Sequence, residues 1–285
     1  MKLKAIQNTF QTTLSGIYSK EEIDTIFFML NEAYYGITRL QLALNTNLEL
    51  ENTDAILKAL QALKAEKPIQ YILGETEFFG LNFKVNQHVL IPRPETEELV
   101  AWVLKWYSKL NSASQSLKIL DVGTGSGCIA ITLAKKIPKA SVFALDVSGN
   151  ALTVAKQNAV LNNVDVTCVE ASILKPDTAN KLPDFDVIIS NPPYVRMQEK
   201  ELMKPNVLNN EPHLALFVEN NNPLLFYNAI CKFASNKLKE NGALFFEINE
   251  YLGEEMKQLL HNYNFKNIEL KQDIFKKERM IKGVY

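Results

Sequence analysis

The stretch Asp121-Val122-Gly123-Thr124-Gly125-Ser126-Gly127-Cys128 decides the fold. It lies where an apolar run at residues 117–122 should meet a first helix. Glycines there let the backbone turn tightly and approach a ligand over the open carboxyl end of a sheet, because a residue without Cβ tolerates positive φ and leaves room. The next apolar run, residues 141–146, ends in Asp146, nineteen residues after Gly127. A carboxylate at that position accepts hydrogen bonds from two ribose hydroxyls, so the turn and Asp146 together predict an adenosine cofactor site.

Outward from this turn, apolar runs at residues 164–169, 185–190 and 243–248 repeat the strand pattern, separated by segments long enough for helices. Such alternation predicts a parallel α/β sheet covered on both faces. The tail, residues 265–285, supplies a sixth and a seventh strand and with them an antiparallel edge. The kind of cofactor follows from register. Gly123, Gly125 and Gly127 are followed by Cys128-Ile129-Ala130, which is out of step with GxGxxG, and no Lys-Ser/Thr pair closes the turn. Dinucleotide hydride transfer and phosphoryl transfer both lose support. S-adenosylmethionine fits better, since its methionine end needs close approach and has no pyrophosphate to seat.

Asn191-Pro192-Pro193-Tyr194 follows the run at 185–190 and so falls at the carboxyl end of the fourth strand, beside the same crevice. The Asn191 side-chain carbonyl and the Pro192 main-chain carbonyl can each accept one hydrogen of a planar NH2 group, which aims its nitrogen at a methyl donor. Tyr194 offers a flat surface over that group.

The rest of the chain sets bounds. Its 285 residues are 47% hydrophobic and 22% charged, enough apolar matter for one large or two modest folded domains. A net charge of −1 provides no overall field for a nucleic acid backbone, and residues 1–89 carry 8 Lys/Arg against 10 Asp/Glu. Cys128, Cys168 and Cys231 form neither a CxxC nor a Cys/His metal cluster and read as small buried hydrophobes in a reducing cytoplasm. No apolar run approaches the roughly 18 residues of a membrane span. Residues 1–67 show helical periodicity only. Ser19 and Glu22 form a capping box ahead of Ile23, Ile26, Phe27 and Leu30, and further helices are expected near 37–44 and 56–63, which predicts a small bundle. Near residues 71–92 a β-hairpin turning at Gly80 is expected to bridge this bundle to the following domain. Pro92 and Pro94 then flank Arg93 before a helix with Leu99, Val103, Trp106 and Leu110 on one face.

Pro68-Ile69-Gln70-Tyr71-Ile72-Leu73-Gly74, Leu90-Ile91-Pro92-Arg93-Pro94-Glu95-Thr96-Glu97, the glycine turn and Asn191-Pro192-Pro193-Tyr194 in one chain resemble the HemK/PrmC family of protein-(glutamine-N5) methyltransferases. The resemblance covers nearly the whole sequence. It implies a doubly wound, seven-stranded class I methyltransferase sheet with a small N-terminal helical bundle and a bridging β-hairpin. It further implies S-adenosyl-L-methionine as donor, and as acceptor the glutamine of the Gly-Gly-Gln motif of peptide chain release factors. The expected division is 1–70 for release-factor recognition, 71–92 for the hairpin and 93–285 for methyl transfer. Carried over by position, Gly123, Thr124, Gly125, Ser126 and Gly127 surround the methionine part and Asp146 holds the ribose. Asn191 and Pro192 are catalytic, Asn191 lies near both the donor, as a cofactor-binding residue, and the substrate, and Asn191 to Tyr194 hold the glutamine. Ser172 and Ile173 stand at the adenine, where Glu170-Ala171-Ser172-Ile173 departs from the family's acidic-then-aromatic pattern.

Arg93, Glu95 and Glu97 are expected to serve interdomain hydrogen bonds or helix initiation rather than direct recognition, and Glu247, Asp273 and Arg279 to orient loops. No role in catalysis falls to His88, His213 or His261, and no metal is expected. The main competing reading is an N6-adenine methyltransferase acting on DNA or RNA, whose exocyclic NH2 is similarly planar. A noncatalytic release-factor-binding protein is the other. The expectation is a cytoplasmic monomer with release factors as partners and neither a nucleic acid substrate nor a membrane.

Overall fold

The structure, a computed structural model, describes residues 1–45, 47–110, 116–175 and 179–285. They form two compact units: Met1–Gly74 with Lys204–Asn210, and Glu75–Met203 with Glu211–Tyr285.

The first unit contains α1 (Leu3–Leu14), α2 (Lys20–Tyr35), α3 (Arg39–Leu44), α4 (Asp54–Lys64) and α5 (Ile69–Leu73). The predicted capping box starts α2: Ser19 Oγ accepts from the Glu22 amide at 3.2 Å, and the Ser19 amide donates to Glu22 Oε2 at 3.0 Å. Such a cap is worth about 1 kcal/mol. Ile6, Phe10, Ile23, Phe27, Leu30, Ile56 and Leu60 meet in the core of this unit, with Phe10 and Phe27 edge to face at 5.3 Å.

The second unit opens with a hairpin, β1 (Glu75–Phe78) and β2 (Leu81–Lys84). Then come α6 (Pro94–Tyr107), β3 (Lys118–Val122), α7 (Cys128–Lys136), β4 (Ser141–Asp146), α8 (Gly149–Leu161), β5 (Thr167–Glu170) and β6 (Phe185–Ser190). A two-residue parallel pair, β7 (Val195–Arg196) and β8 (Phe217–Val218), brackets α9 (Pro205–Leu208), which counts with the first unit. After it stand α10 (Leu225–Lys237), β9 (Leu238–Glu247), α11 (Gly253–Asn262), β10 (Lys266–Gln272) and β11 (Glu278–Val284).

Seven strands make one sheet in the order β10-β11-β9-β6-β3-β4-β5. All pairs are parallel except those of β11, which runs antiparallel to β9 and β10 and supplies the predicted antiparallel edge. From β3 the chain builds outward to β4 and β5, then returns to β6 and β9 on the other side. The reversal at β3 leaves a crevice at the carboxyl ends of the central strands, the general ligand position of such sheets. Alternate side chains enter opposite cores. Ile119, Val142, Val187 and Phe245 pack with α6 and α7, while Leu120, Leu145, Ile188 and Phe246 pack with α10 and α11.

At the hairpin turn Phe79 and Gly80 have φ of 53° and 73°. Two positive values at the central positions match the twist of the flanking strands, and Gly80 takes its value without steric cost. Buried Asn158 of α8 ties the hairpin down: its Oδ1 accepts from the Lys84 amide at 2.6 Å, and its Nδ2 donates to Lys84 O at 3.0 Å and Ser126 O at 2.9 Å. The hairpin therefore braces the glycine turn.

Candidate active site

A cavity of about 240 Å³ opens at the carboxyl ends of β3, β4, β5 and β6. Gly123, Thr124, Gly125, Ser126, Asp146, Ser172, Ile173, Asn191, Pro192 and Pro193 line it. Four separate stretches of sequence thus converge on one space.

The turn after β3 is pinned to the end of β4. Gly123 and Thr124 amides both donate to Leu145 O, at 2.8 and 3.0 Å, and the Gly125 amide donates to Asp146 Oδ2 at 2.9 Å. With three consecutive amides engaged, the turn offers a ligand close approach rather than a phosphate nest. Gly123 and Gly125 have φ of 75° and 54°, and a Cβ on either meets nothing within 4 Å. Gly127 differs. It does not line the cavity, its φ is +81°, and a Cβ there would lie 2.8 Å from Ile131 Cδ1 and 3.1 Å from Ala155 Cβ. Its smallness lets α7 start against α8.

Asp146 also accepts from the Ser148 amide at 2.9 Å through Oδ1. Burial pushes its carboxyl above the usual range, while the amides of Ser148, Gly125 and Val147 hold it down. A carboxylate has about four acceptor sites, so capacity remains for hydroxyls. Asp121, fully buried, braces the same turn: its Oδ2 accepts from Thr124 Oγ1 at 2.6 Å and the Ala130 amide at 3.3 Å. Burial raises this carboxyl to about 7, against the opposing pull of those two donors.

Asn191 sits at the head of a buried polar chain. Its Nδ2 donates to Thr96 Oγ1 at 3.1 Å, Thr96 Oγ1 donates to Glu247 Oε2 at 2.7 Å, and Tyr194 Oη donates to Glu247 Oε1 at 3.0 Å. Thr96 is 3% and Glu247 1% exposed. Burial raises the Glu247 carboxyl, opposed by the Thr96 and Tyr194 hydroxyls and by the Arg279 cation. Tyr194 is held far above its ordinary value by burial and by Glu247, so it stays a donor. Its hydroxyl is directed at Glu247, and it is not among the residues lining the cavity.

The Pro-Arg-Pro joint has a partner that the sequence did not reveal. Arg93 pairs with Glu211, 4% exposed, at 2.5 Å, and Glu211 Oε2 accepts from the Ile91 amide at 3.1 Å. This clasp sets Leu90, Pro92 and Arg93 against Pro212, Leu214 and Ala215 at the cavity. Glu97 accepts from the Phe79 amide at 2.8 Å, so the bonds of Arg93 and Glu97 fall within the second unit, at the first turn of α6. Asp273 takes the Phe275 and Lys277 amides at 2.9 and 3.0 Å and pairs with Arg279 at 3.5 Å, fixing the β10–β11 connection. Val147, 51% exposed, and Phe226 also line the cavity. Neither was singled out in the sequence. Val147 directly follows Asp146, which is the one signal that could have found it.

Residues 106–216 match the family described as Methyltransferase small domain. The chain is 53% identical over 284 residues to the release factor glutamine methyltransferase of Flavobacterium psychrophilum, covering 99% of each. It is 37% identical over 277 residues to the protein of that name from Bacteroides thetaiotaomicron, covering 94% of this chain and 95% of the relative. A solved methyltransferase from Pyrococcus furiosus shares the fold with a TM-score of 0.51 at 17% identity, over 81% of this chain and 95% of that one.

Proposed function

The chain belongs to the release factor glutamine methyltransferases, and on that footing we propose that it carries the methyl group of S-adenosyl-L-methionine to the side-chain amide nitrogen, N5, of the glutamine in the Gly-Gly-Gln motif of peptide chain release factors. The products are N5-methylglutamine and S-adenosyl-L-homocysteine. One observation carries the site-level reading: Asn191, at the end of β6, lines the same cavity as Asp146 and the open glycine turn.

The residues suit the donor. A Cβ on Gly123 or Gly125 would project into open space, and Asp146 keeps free acceptor capacity beside them. Gly123, Thr124, Gly125 and Ser126 would hold the methionine part, with Gly127 setting the start of the helix behind them. Asp146 would hold the ribose, and Ser172 and Ile173 would flank the adenine. When bound, S-adenosylmethionine supplies an electrophilic methyl group on a sulfonium.

An amide nitrogen is a poor nucleophile because its lone pair is delocalised into the carbonyl. The protein's task is therefore orientation and stabilisation of the positive charge that develops on nitrogen. Asn191 Oδ1 and Pro192 O each accept one amide hydrogen, which turns the nitrogen toward the methyl and strengthens as its hydrogens become more acidic. Pro193 adds apolar wall that excludes water. Tyr194 backs that wall through Glu247. No strong base is needed before transfer, since the N-methylated amide, once cationic, is strongly acidic and gives its extra proton to water as the product leaves the cavity.

An exocyclic adenine NH2 would satisfy the same two acceptors, and the family membership favours the glutamine. In this reading the helical residues 1–70 recognise the release factor, residues 71–92 join them to the transfer domain at 93–285, nucleic acid is not a substrate, and the enzyme works as a cytoplasmic monomer. Among the described residues no helix is long and apolar enough to cross a membrane. The test is methyl transfer by purified enzyme to a release factor, its Gln→Ala variant, duplex DNA and structured RNA. Transfer to the intact release factor alone is expected, and transfer confined to nucleic acid would overturn the assignment.

A further inference from the structure

We propose that Thr96 and Glu247 are positioning residues that lock the Asn191 carboxamide in the one orientation able to receive an amide substrate. The proposal rests on the reading of Asn191 given above. A carboxamide has two nearly isosteric ends, one accepting and one donating, and a rotation by half a turn exchanges them. With its NH2 toward the acceptor, Asn191 would repel the substrate hydrogens it must hold. Nothing in Asn191 itself decides between the two states.

The decision comes from Glu247, fifty-six residues further along the chain. As a carboxylate it can only accept. Its Oε2 takes the single hydroxyl hydrogen of Thr96 at 2.7 Å and its Oε1 takes that of Tyr194 at 3.0 Å. Thr96 Oγ1, its hydrogen committed, can then only accept, and it takes Asn191 Nδ2 at 3.1 Å. The direction of the whole chain of bonds is fixed from its charged end, and Asn191 Oδ1 is left to the cavity. Thr96 and Glu247 are almost fully buried, so water does not compete for these bonds. Burial raises the Glu247 carboxyl, and the Thr96 and Tyr194 hydroxyls and the Arg279 cation oppose that rise; the direction of the bonds rests on the geometry of the two hydroxyls, each aimed at its own carboxyl oxygen. Thr96 borders the same cavity and Glu247 lies behind it; in this scheme both act through Asn191, and the separate reading of cofactor affinity distinguishes that from a direct contact of Thr96 with the donor.

The test is a double-mutant cycle on the full-length enzyme, read as the single-turnover rate of methyl transfer to the release factor and, separately, as affinity for S-adenosylmethionine. Thr96→Val keeps the shape and removes the hydroxyl. It should lower the rate by about 30-fold or more while cofactor affinity changes by less than about 3-fold. Thr96→Ser should recover the rate to within about 3-fold. Glu247→Gln presents a donor and an acceptor, no longer fixes the chain, and should lower the rate by about 10-fold. In an Asn191→Ala background Thr96→Val should change the rate by less than about 2-fold, because there is no carboxamide left to orient. A wild-type rate in Thr96→Val or Glu247→Gln, an equal loss in the Asn191→Ala background, or a loss of cofactor affinity in step with the rate would each overturn the proposal. If the wild-type enzyme itself made no transfer to the release factor, the assigned reaction would fail, and the positioning role with it. Transfer by the wild type with an unaffected Thr96→Val overturns the positioning alone.

Discussion

Asp146 and Asn191 line one cavity but are assigned to different ends of the chemistry, and substitutions separate them. Asp146→Ala removes a charged acceptor for two hydroxyls and should weaken S-adenosylmethionine binding by about 1–3 kcal/mol, measured by calorimetry on the folded variant. An unchanged affinity removes Asp146 from that role. Asn191→Ala leaves the glycine turn and Asp146 in place, so cofactor affinity should fall little while the single-turnover rate at saturating donor and acceptor falls about 100-fold or more. A near-normal rate refutes the proposed acceptor geometry. Asp121 makes a prediction about stability. Its carboxyl is raised from 3.8 to about 7 by burial. Its contribution is therefore complete below about pH 4, where folded and unfolded chains both hold the proton, and is lost as the pH rises toward 7. At ~1.36 kcal/mol per pH unit the loss is on the order of 4 kcal/mol. Asp121→Asn, which keeps an acceptor for Thr124, should raise Tm relative to wild type at pH 8, and the advantage should shrink at pH 5. A difference in Tm that does not vary with pH contradicts the assignment.

At the scale of elements, the three glycines of the turn do different work. Gly127→Ala forces positive φ on a residue with a Cβ and drives it toward Ile131 and Ala155. It should cost about 2–4 kcal/mol, seen as a lowered Tm. Gly123→Ala meets no protein atom, so it should cost about 1–2 kcal/mol in backbone strain and show its larger effect on cofactor affinity. Equal effects of the two on stability would contradict this division. The central strands were legible because buried parallel strands are continuous apolar runs bounded by turn residues: β3, β4 and β6 fall within a residue of expectation. Their neighbours were less so. β9 extends back to Leu238 through Lys239, Glu240, Asn241 and Gly242, which fall in the register shift between the Phe185–Leu238 and Val187–Ala243 pairs and carry no apolar signal. β5 begins at Thr167, three residues later than its apolar run, since Val164 and Val166 pack as side chains outside the ladder. The β7–β8 pair is two residues long, too short for any period to register.

At the scale of the whole molecule, motif residues were legible and their connections were not. The glycine turn, Asp146 and Asn191 each announce themselves by residue type next to a strand end. Thr96 finds Asn191 across 95 positions and Glu247 across 151, and Arg93 finds Glu211 across 118. Pairings at such separations leave no local pattern. They exist because a doubly wound sheet returns distant strand ends to one crevice, where buried polar groups must satisfy one another. The helical unit was visible from its periodicity, while nothing in that periodicity names what it binds. The central claim is that this crevice methylates the side-chain nitrogen of a protein glutamine. Peptide mapping by mass spectrometry after reaction of the enzyme and S-adenosylmethionine with a release factor tests it most directly. A single methyl group on the side-chain amide of the Gly-Gly-Gln glutamine is predicted; a methyl group on any other residue, or none on the protein, would contradict it.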